Sequence, residues 1–315
     1  MQTGQRGEGS GNTKGSPPTR RGFLEGALAG ALGGALGPRV LQAAGSIAEQ
    51  APSGPPLPPL RLGLVTYNLA KDWDLKTILK NCTEAKFEAV ELRATHAHGV
   101  EVSLTQERRR EVRALFQGSP VRLASLGSAF EFHSADPAEV RKNIEGAKEY
   151  AKLAADVGAQ GIKVRPNGLQ TRKGIPAEDT LRQIGRSLAE VGEAAGQLGV
   201  EVRVEVHGGD TSRLPNMRKI LDQAAHPNVF VCWNSNDSDL LDGGLEENFA
   251  LVKEKIRFVH MRDLFIENYP WRKLLRLLRE ARYAGYCCAE ISESNDPLRV
   301  MRYYRALFLA YQDLL

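Results

Sequence analysis

The sequence predicts a single (β/α)8 TIM barrel, and three observations carry that prediction. Short apolar runs of strand length alternate eight times with segments of helical spacing between residues 60 and 315. The repeat occupies about 255 residues, the usual span of such a barrel. Each of the last four apolar runs ends on a polar residue, as expected where parallel strands deliver their carboxyl ends to one face. A doubly wound open sheet is the alternative. It would place a glycine-rich phosphate loop after the first strand, where Thr66-Tyr67-Asn68 stands instead.

The elements follow in order. Residues 62–65 read as a strand, 75–85 as a helix and 89–92 as a strand. Residues 104–116 form a helix with Arg and Glu on its wet face, followed by a strand over 121–126 and a long helix over 137–157. A strand over 162–164 leads to a helix over 177–198, which Gly199 ends. The second half repeats the pattern, with strands over 200–206, 229–233, 256–259 and 286–291. Their partner helices cover 214–225, 245–252, 271–282 and 298–311.

Ahead of the barrel, residues 1–18 are rich in Gly, Ser, Thr and Pro, which predicts disorder. Thr19-Arg20-Arg21-Gly22-Phe23-Leu24 then precedes a weakly hydrophobic Gly/Ala stretch from 26 to 37, with small residues at Ala43 and Ala44. This resembles a twin-arginine export signal. The stretch is too short and glycine-rich for a stable membrane anchor. The resemblance implies residues 1–44 as a signal peptide, export of a folded protein and a periplasmic location. Residues 45–59 read as a Pro-rich linker, and 60–315 as the barrel.

The net charge of +4 sits mostly in that leader, where Arg6, Lys14, Arg20, Arg21 and Arg39 face only Glu8 and Glu25. The remaining chain is close to neutral and lacks the basic footprint of a nucleic-acid partner. Cys82, Cys232, Cys287 and Cys288 form no CxxC pair, and three of them lie in strand-like runs. They are expected as reduced core thiols, with Cys287 and Cys288 pointing to opposite faces of one strand.

The site candidates come from the strand ends. Glu205, Asn234, His260 and Glu290 close the last four strands, and together make a mainly oxygen set with one imidazole. Such a set suits one divalent ion: Mn, Mg, Co or Zn. In the first half Glu91, Lys163 and Arg165 lie at strand ends, with His96 and His98 in a loop. Arg165 reads as a clamp for a carboxylate, phosphate or hydroxyl, or equally as an ion-pair partner of Glu91. His96 and His98 read as solvated loop residues or as ligands of a second ion. His207 precedes Gly208-Gly209, where the backbone could approach a ligand closely. Tyr269 and Trp271 read as barrel packing or as a stacking platform for a sugar ring.

Several motifs resemble the xylose isomerase-like barrels, the superfamily of sugar phosphate isomerases and epimerases, ketose 3-epimerases, inosose dehydratases and endonuclease IV. Glu205-Val206-His207-Gly208-Gly209 resembles the family's E-N-H strand end, and His260-Met261-Arg262-Asp263 resembles its H-x-K-D segment. Tyr283-Ala284-Gly285-Tyr286 resembles the lead-in to its last glutamate. The segments 67–73, 91–99 and 233–236 are similar to an exported bacterial subgroup. One departure stands out. The family pattern D-T-G-H reads Asn234-Ser235-Asn236-Asp237 here, so a metal-binding Asp has become Asn234 and a substrate-touching His has become Asp237. Asn234 could ligate through its carbonyl, Asp237 could reach in to restore the charge, or the barrel could have become a binder only.

The resemblance implies a metal-dependent isomerase or epimerase of a sugar or keto-sugar, acting through an enediolate. Glu205 and Glu290 would be its acid–base pair, and Glu205, Asn234, His260 and Glu290 its metal ligands. His207, Arg165, Lys163, Glu91, His96, Asp237 and Arg262 would contact substrate. Asp263 or Glu293 would hold the second nitrogen of His260. The alternatives are a lyase or dehydratase on an oxidised sugar and a non-catalytic sugar-binding barrel. Assembly into a homo-oligomer is left open.

Overall fold

The structure is a computed structural model that describes residues 57–315. The expected signal peptide and most of the linker lie outside the described residues. Eight strands run β1 (Arg61–Val65), β2 (Ala89–Arg93), β3 (Arg122–Glu131), β4 (Gly161–Arg165), β5 (Glu201–Glu205), β6 (Val229–Asn234), β7 (Ile256–Met261) and β8 (Tyr286–Ala289). They pair in sequence order, all parallel, and β8 returns to β1 to close the barrel. The helices between them are α1 (Leu75–Ala85), α2 (Gln106–Gln117), α3 (Pro137–Val157), α4 (Ala177–Gly196), α5 (Leu214–Ala224), α6 (Leu245–Val252) and α7 (Trp271–Glu280). Helix α8 (Pro297–Ala310) follows β8 and completes the (β/α)8 count. No helix among the described residues is long and apolar enough to cross a membrane.

Helix starts follow local chemistry. Asp74, Thr105 and Asp136 each accept a backbone N–H of the first turn with a side-chain oxygen, at α1, α2 and α3. The main core lies between sheet and helices, and a smaller apolar layer lies inside the barrel. That inner layer comprises Val65, Ala89, Ala124, Cys232, Phe258, Tyr286 and Cys288. All four cysteines are buried and free. Cys287 joins the outer core and Cys288 the inner layer, as the alternation of strand side chains requires. Gly63 makes room for Cys288, because a Cβ there would lie 2.5 Å from its Sγ.

The same alternation sends charged side chains into the barrel. Arg203 lies towards the amino-terminal mouth, bonded to Glu201 at 2.7 and 2.9 Å and to the carbonyl of Ala124 at 2.9 Å. Its guanidinium sits 5.0 Å from the centre of the Phe258 ring. Phe258 in turn meets the His260 ring edge-on, with centroids 5.5 Å apart. One aromatic ring thus separates a lower charged layer from an upper one.

Strand β3 departs from the expected bounds. It runs on to Glu131 across a register shift between Gly127 and Glu131 against β4. Pairing with β4 holds at Gly127 and resumes at Glu131, while Ser128-Ala129-Phe130 bulges between them, with Ser128 Oγ donating to the Lys163 carbonyl.

Candidate active site

Five polar side chains of the upper layer come from five different strands. Glu91 comes from β2, Lys163 from β4, Glu205 from β5, Asn234 from β6 and His260 from β7. Glu290 follows β8 directly, and its backbone N–H donates to the Met261 carbonyl at 2.8 Å, which extends the ladder by one residue. Ligand atoms of Glu205, His260 and Glu290 lie within 4.8 Å of one another. His260 Nδ1 lies 3.3 Å from Glu205 Oε1 and 3.6 Å from Glu290 Oε2. On its other edge, Nε2 lies 3.2 Å from Glu91 Oε1.

Charge is balanced inside the cluster. The ammonium of Lys163 donates to Glu205 Oε2 at 2.8 Å, and both side chains are buried. Burial alone would raise the Glu205 carboxyl, but the Lys163 ammonium and the His260 ring outweigh it and hold it well below the carboxylate range. Burial would likewise lower His260, yet Cys232, Glu91 and Glu290 beside it raise it well above an ordinary imidazole. Arg93 Nη1 lies 3.7 Å from Glu290 Oε1.

Two carboxylate oxygens and one imidazole nitrogen converging from three strands fit a divalent cation with open positions left for a ligand. The orphaned atoms fit as well. His260 Nε2 and both Glu91 oxygens are buried and make no well-aligned hydrogen bond. Glu91 therefore orients His260 by charge, leaving Nδ1 to face the two glutamates.

The model of the xylose isomerase-like TIM barrel family matches residues 79–307. This chain belongs to that family. A search of the curated proteins gives no match. Among solved structures, the apo 3-keto-D-glucoside 4-epimerase YcjR from E. coli is similar at 15% identity and a TM-score of 0.67, covering 80% of this chain and 99% of that one. An L-ribulose 3-epimerase is similar at 17% identity and TM-score 0.67, covering 81% and 95%. The IOLI protein, solved with a zinc atom, is similar at 15% identity and TM-score 0.66, covering 81% and 98%. At these identities the likeness speaks for the fold.

In this xylose isomerase-like barrel three of the four residues expected as metal ligands, Glu205, His260 and Glu290, bring ligand atoms together. Asn234 Nδ2 lies 3.3 Å from Glu205 Oε1, so its amide donates to that carboxylate and brings no charge. Asp237 does not restore that charge. It begins a short 3-10 turn, Asp237–Leu240, points largely to solvent and pairs with Arg262. The partner of His260 is Glu91, not Asp263 or Glu293; Glu293 is taken up by Lys71 at 2.8 Å.

The residues expected to contact substrate lie at different depths. Glu91 is fully buried beneath His260 and faces its Nε2. Lys163 is 2% exposed and committed to Glu205, which makes it a counter-charge. Arg165 pairs with Glu131 at 2.7 Å and not with Glu91, because the extended β3 brings Glu131 alongside it. His98 spends both ring nitrogens on its own loop, at the Arg93 carbonyl and the Val100 N–H. His96 is half-buried at the rim with Nδ1 2.9 Å from Thr66 Oγ1, and burial with nearby Arg93 pushes it down to about 4, so it is neutral. At Gly208 a Cβ would lie 2.6 Å from the backbone of Asn167, so the glycine lets these two loops approach.

His207 and Arg165 remain at the mouth as a linked pair. His207 Nδ1 lies 2.8 Å from Asn167 Oδ1, Asn167 Nδ2 donates to Glu131 Oε1 at 2.6 Å, and Arg165 shares that oxygen. Asn167 and Glu131 are site residues that sequence reasoning missed. A second missed group anchors the end of β6. Buried Asp239 accepts from the Tyr269 hydroxyl at 2.6 Å and the Asn236 N–H at 3.1 Å, and Tyr269 accepts from Trp233 Nε1 at 3.3 Å. Tyr269 thus serves packing rather than as a sugar platform. The spacing of Asn236 and Asp239 as a capping box was the available signal.

Proposed function

We propose that this barrel isomerises or epimerises a sugar or keto-sugar by moving a proton on the carbon beside a carbonyl. The convergence of Glu205, His260 and Glu290 at the carboxyl ends of three strands carries this reading. These three would hold one divalent ion, which when bound supplies Lewis-acid polarisation of the carbonyl. Glu290 is the more accessible glutamate, with 16% of its side chain exposed against 4% for Glu205. It takes the proton from carbon, and the C–H electrons pass into the enediolate. Glu290 then returns that proton to the adjoining carbon while the hydroxyl proton passes between the two oxygens, and Glu205, kept ionised and in place by Lys163 and Asn234, would serve as a ligand of the ion. Arg165, His207 and Asn167 bind the remainder of the substrate at the mouth. The leader-like segment around Arg20-Arg21 supports a periplasmic setting, checked by cell fractionation.

The test is exchange in D2O. A panel of ketoses and 3-keto-glycosides is incubated with the divalent-ion-loaded chain and followed by NMR. Deuterium entering the carbon next to the carbonyl, lost in Glu290→Gln, supports the reading. Release of a leaving group in place of exchange would mark a lyase. Saturable binding with neither outcome would mark a binding barrel, the reading that the neutral Asn234 favours.

A further inference from the structure

The upper layer holds three carboxylates, Glu91, Glu205 and Glu290, and each meets a resident cationic or ionisable partner: His260, Lys163 and Arg93 respectively. Arg165 and Glu131 cancel one another nearby. Asn234, at the end of β6, adds no charge. With His260 neutral, as a ligand must be, three negative charges face two fixed positive ones. A divalent ion would then leave the loaded pocket with one net positive charge. Lys163 is the decisive contributor, since it is buried and donates to the same carboxylate of Glu205 that would hold the ion. Uncompensated charge is expensive in such a buried layer, so the ligand should bring the balancing negative charge.

We propose that Lys163, acting as a fixed counter-ion to Glu205, weakens the divalent site on its own and selects a substrate bearing a negative charge: a sugar acid whose carboxylate or ionised oxygen completes the balance. This rests on the metal-site reading above. It goes beyond that reading by assigning Lys163 a role in specificity and by naming the substrate class. The fork of Arg165, held on one side by Glu131, borders the mouth, where a carboxylate would find donors.

Mn2+ binding by the full chain tests it, measured by calorimetry with Mn2+ alone, with glycolate, and with hydroxyacetone. Glycolate and hydroxyacetone offer similar chelating oxygens and differ in charge. In the wild type, glycolate is expected to tighten Mn2+ binding at least tenfold more than hydroxyacetone does. In Lys163→Met, Mn2+ alone is expected to bind at least tenfold more tightly, and the advantage of glycolate to shrink. Asn234→Asp keeps Lys163 and adds one negative charge, so it gives the same two changes without unpairing Glu205 should Lys163→Met fail to fold. Equal effects of glycolate and hydroxyacetone on the wild type, or unchanged Mn2+ affinity in both variants, overturn the role of Lys163 while the metal site stands. No Mn2+ binding by the wild type or by Asn234→Asp under any of the three conditions overturns the metal site itself, and this inference with it.

Discussion

His260 Nε2 and Glu91 Oε1 lie 3.2 Å apart in the barrel interior, both side chains fully buried. This contact decides which nitrogen of His260 faces the two glutamates. Replacing Glu91 by Gln keeps the shape and removes the charge that orients the ring and offsets Lys163. The expected result is a fall of about 10- to 100-fold in divalent-ion affinity, the scale seen when a ligand histidine loses its supporting partner. Calorimetric titration with Mn2+ or Zn2+ checks it. Undiminished affinity in a folded Glu91→Gln protein would mean that the ring is held by packing alone.

Gly127 is the second support of the same contact. A Cβ there would lie 2.6 Å from Glu91 Oε1 and 3.1 Å from the Arg93 side chain. Gly127→Ala is therefore expected to displace Glu91 and cost about 1–3 kcal/mol, the range of an overpacked core. Urea denaturation measures the cost. The ion affinity should drop in parallel, whereas an unrelated overpacked site would lower stability only.

Asp239 gives a pH dependence whose sign can be worked out. Burial is the main cause that raises its carboxyl from 3.8 to about 7, against the lowering effect of the Tyr269 hydroxyl and the Asn236 N–H. Between those values the folded chain keeps a proton that the unfolded chain has released. The contribution of Asp239 is therefore fully present below the unfolded value and is lost as the pH rises towards 7, by at most about 1.4 kcal/mol per pH unit. Asp239→Asn should flatten this part of the stability profile. Denaturation midpoints at pH 4, 5.5 and 7 for both proteins provide the comparison, and parallel profiles would show that Asp239 does not titrate in this window.

Arg165 should affect ligand binding more than ion binding. It sits at the mouth, held by Glu131, away from the three converging ligand atoms. Arg165→Ala is expected to raise KM or a ligand Kd by about tenfold, the worth of one charge-assisted hydrogen bond, with Mn2+ affinity nearly unchanged. A change confined to ion affinity would place Arg165 in a different role.

The barrel was legible because its period is written twice, in the apolar runs and in the polar residues that close them. Glu205, His260 and Glu290 could be picked from strand ends alone, since parallel strands must present those ends together. Depth could not be picked. Glu91 and Arg93 share a strand and a parity, yet Glu91 lies beneath His260 while Arg93 reaches Glu290, and only the stagger of a closed barrel sets that difference. Glu131 was hidden because β3 runs on through residues with no strand pattern. The choice of Lys163 for Glu205 depends on the pairing of β4 with β5, which parity permits and does not select.

The run of contacts from Glu201 through Arg203 and Phe258 to His260 joins the two ends of the barrel along its axis. Such a column has few soft joints, since a salt bridge, a cation–π stack and an edge-on ring pair all resist sliding. Movement of Glu201 at the mouth opposite the candidate site would have to be absorbed by Phe258 or passed to His260. The far mouth is therefore a mechanical foundation for the site. A survey that ranks substitutions by distance from the chemistry would undervalue Glu201 and Arg203, because what reaches His260 from there is displacement rather than charge.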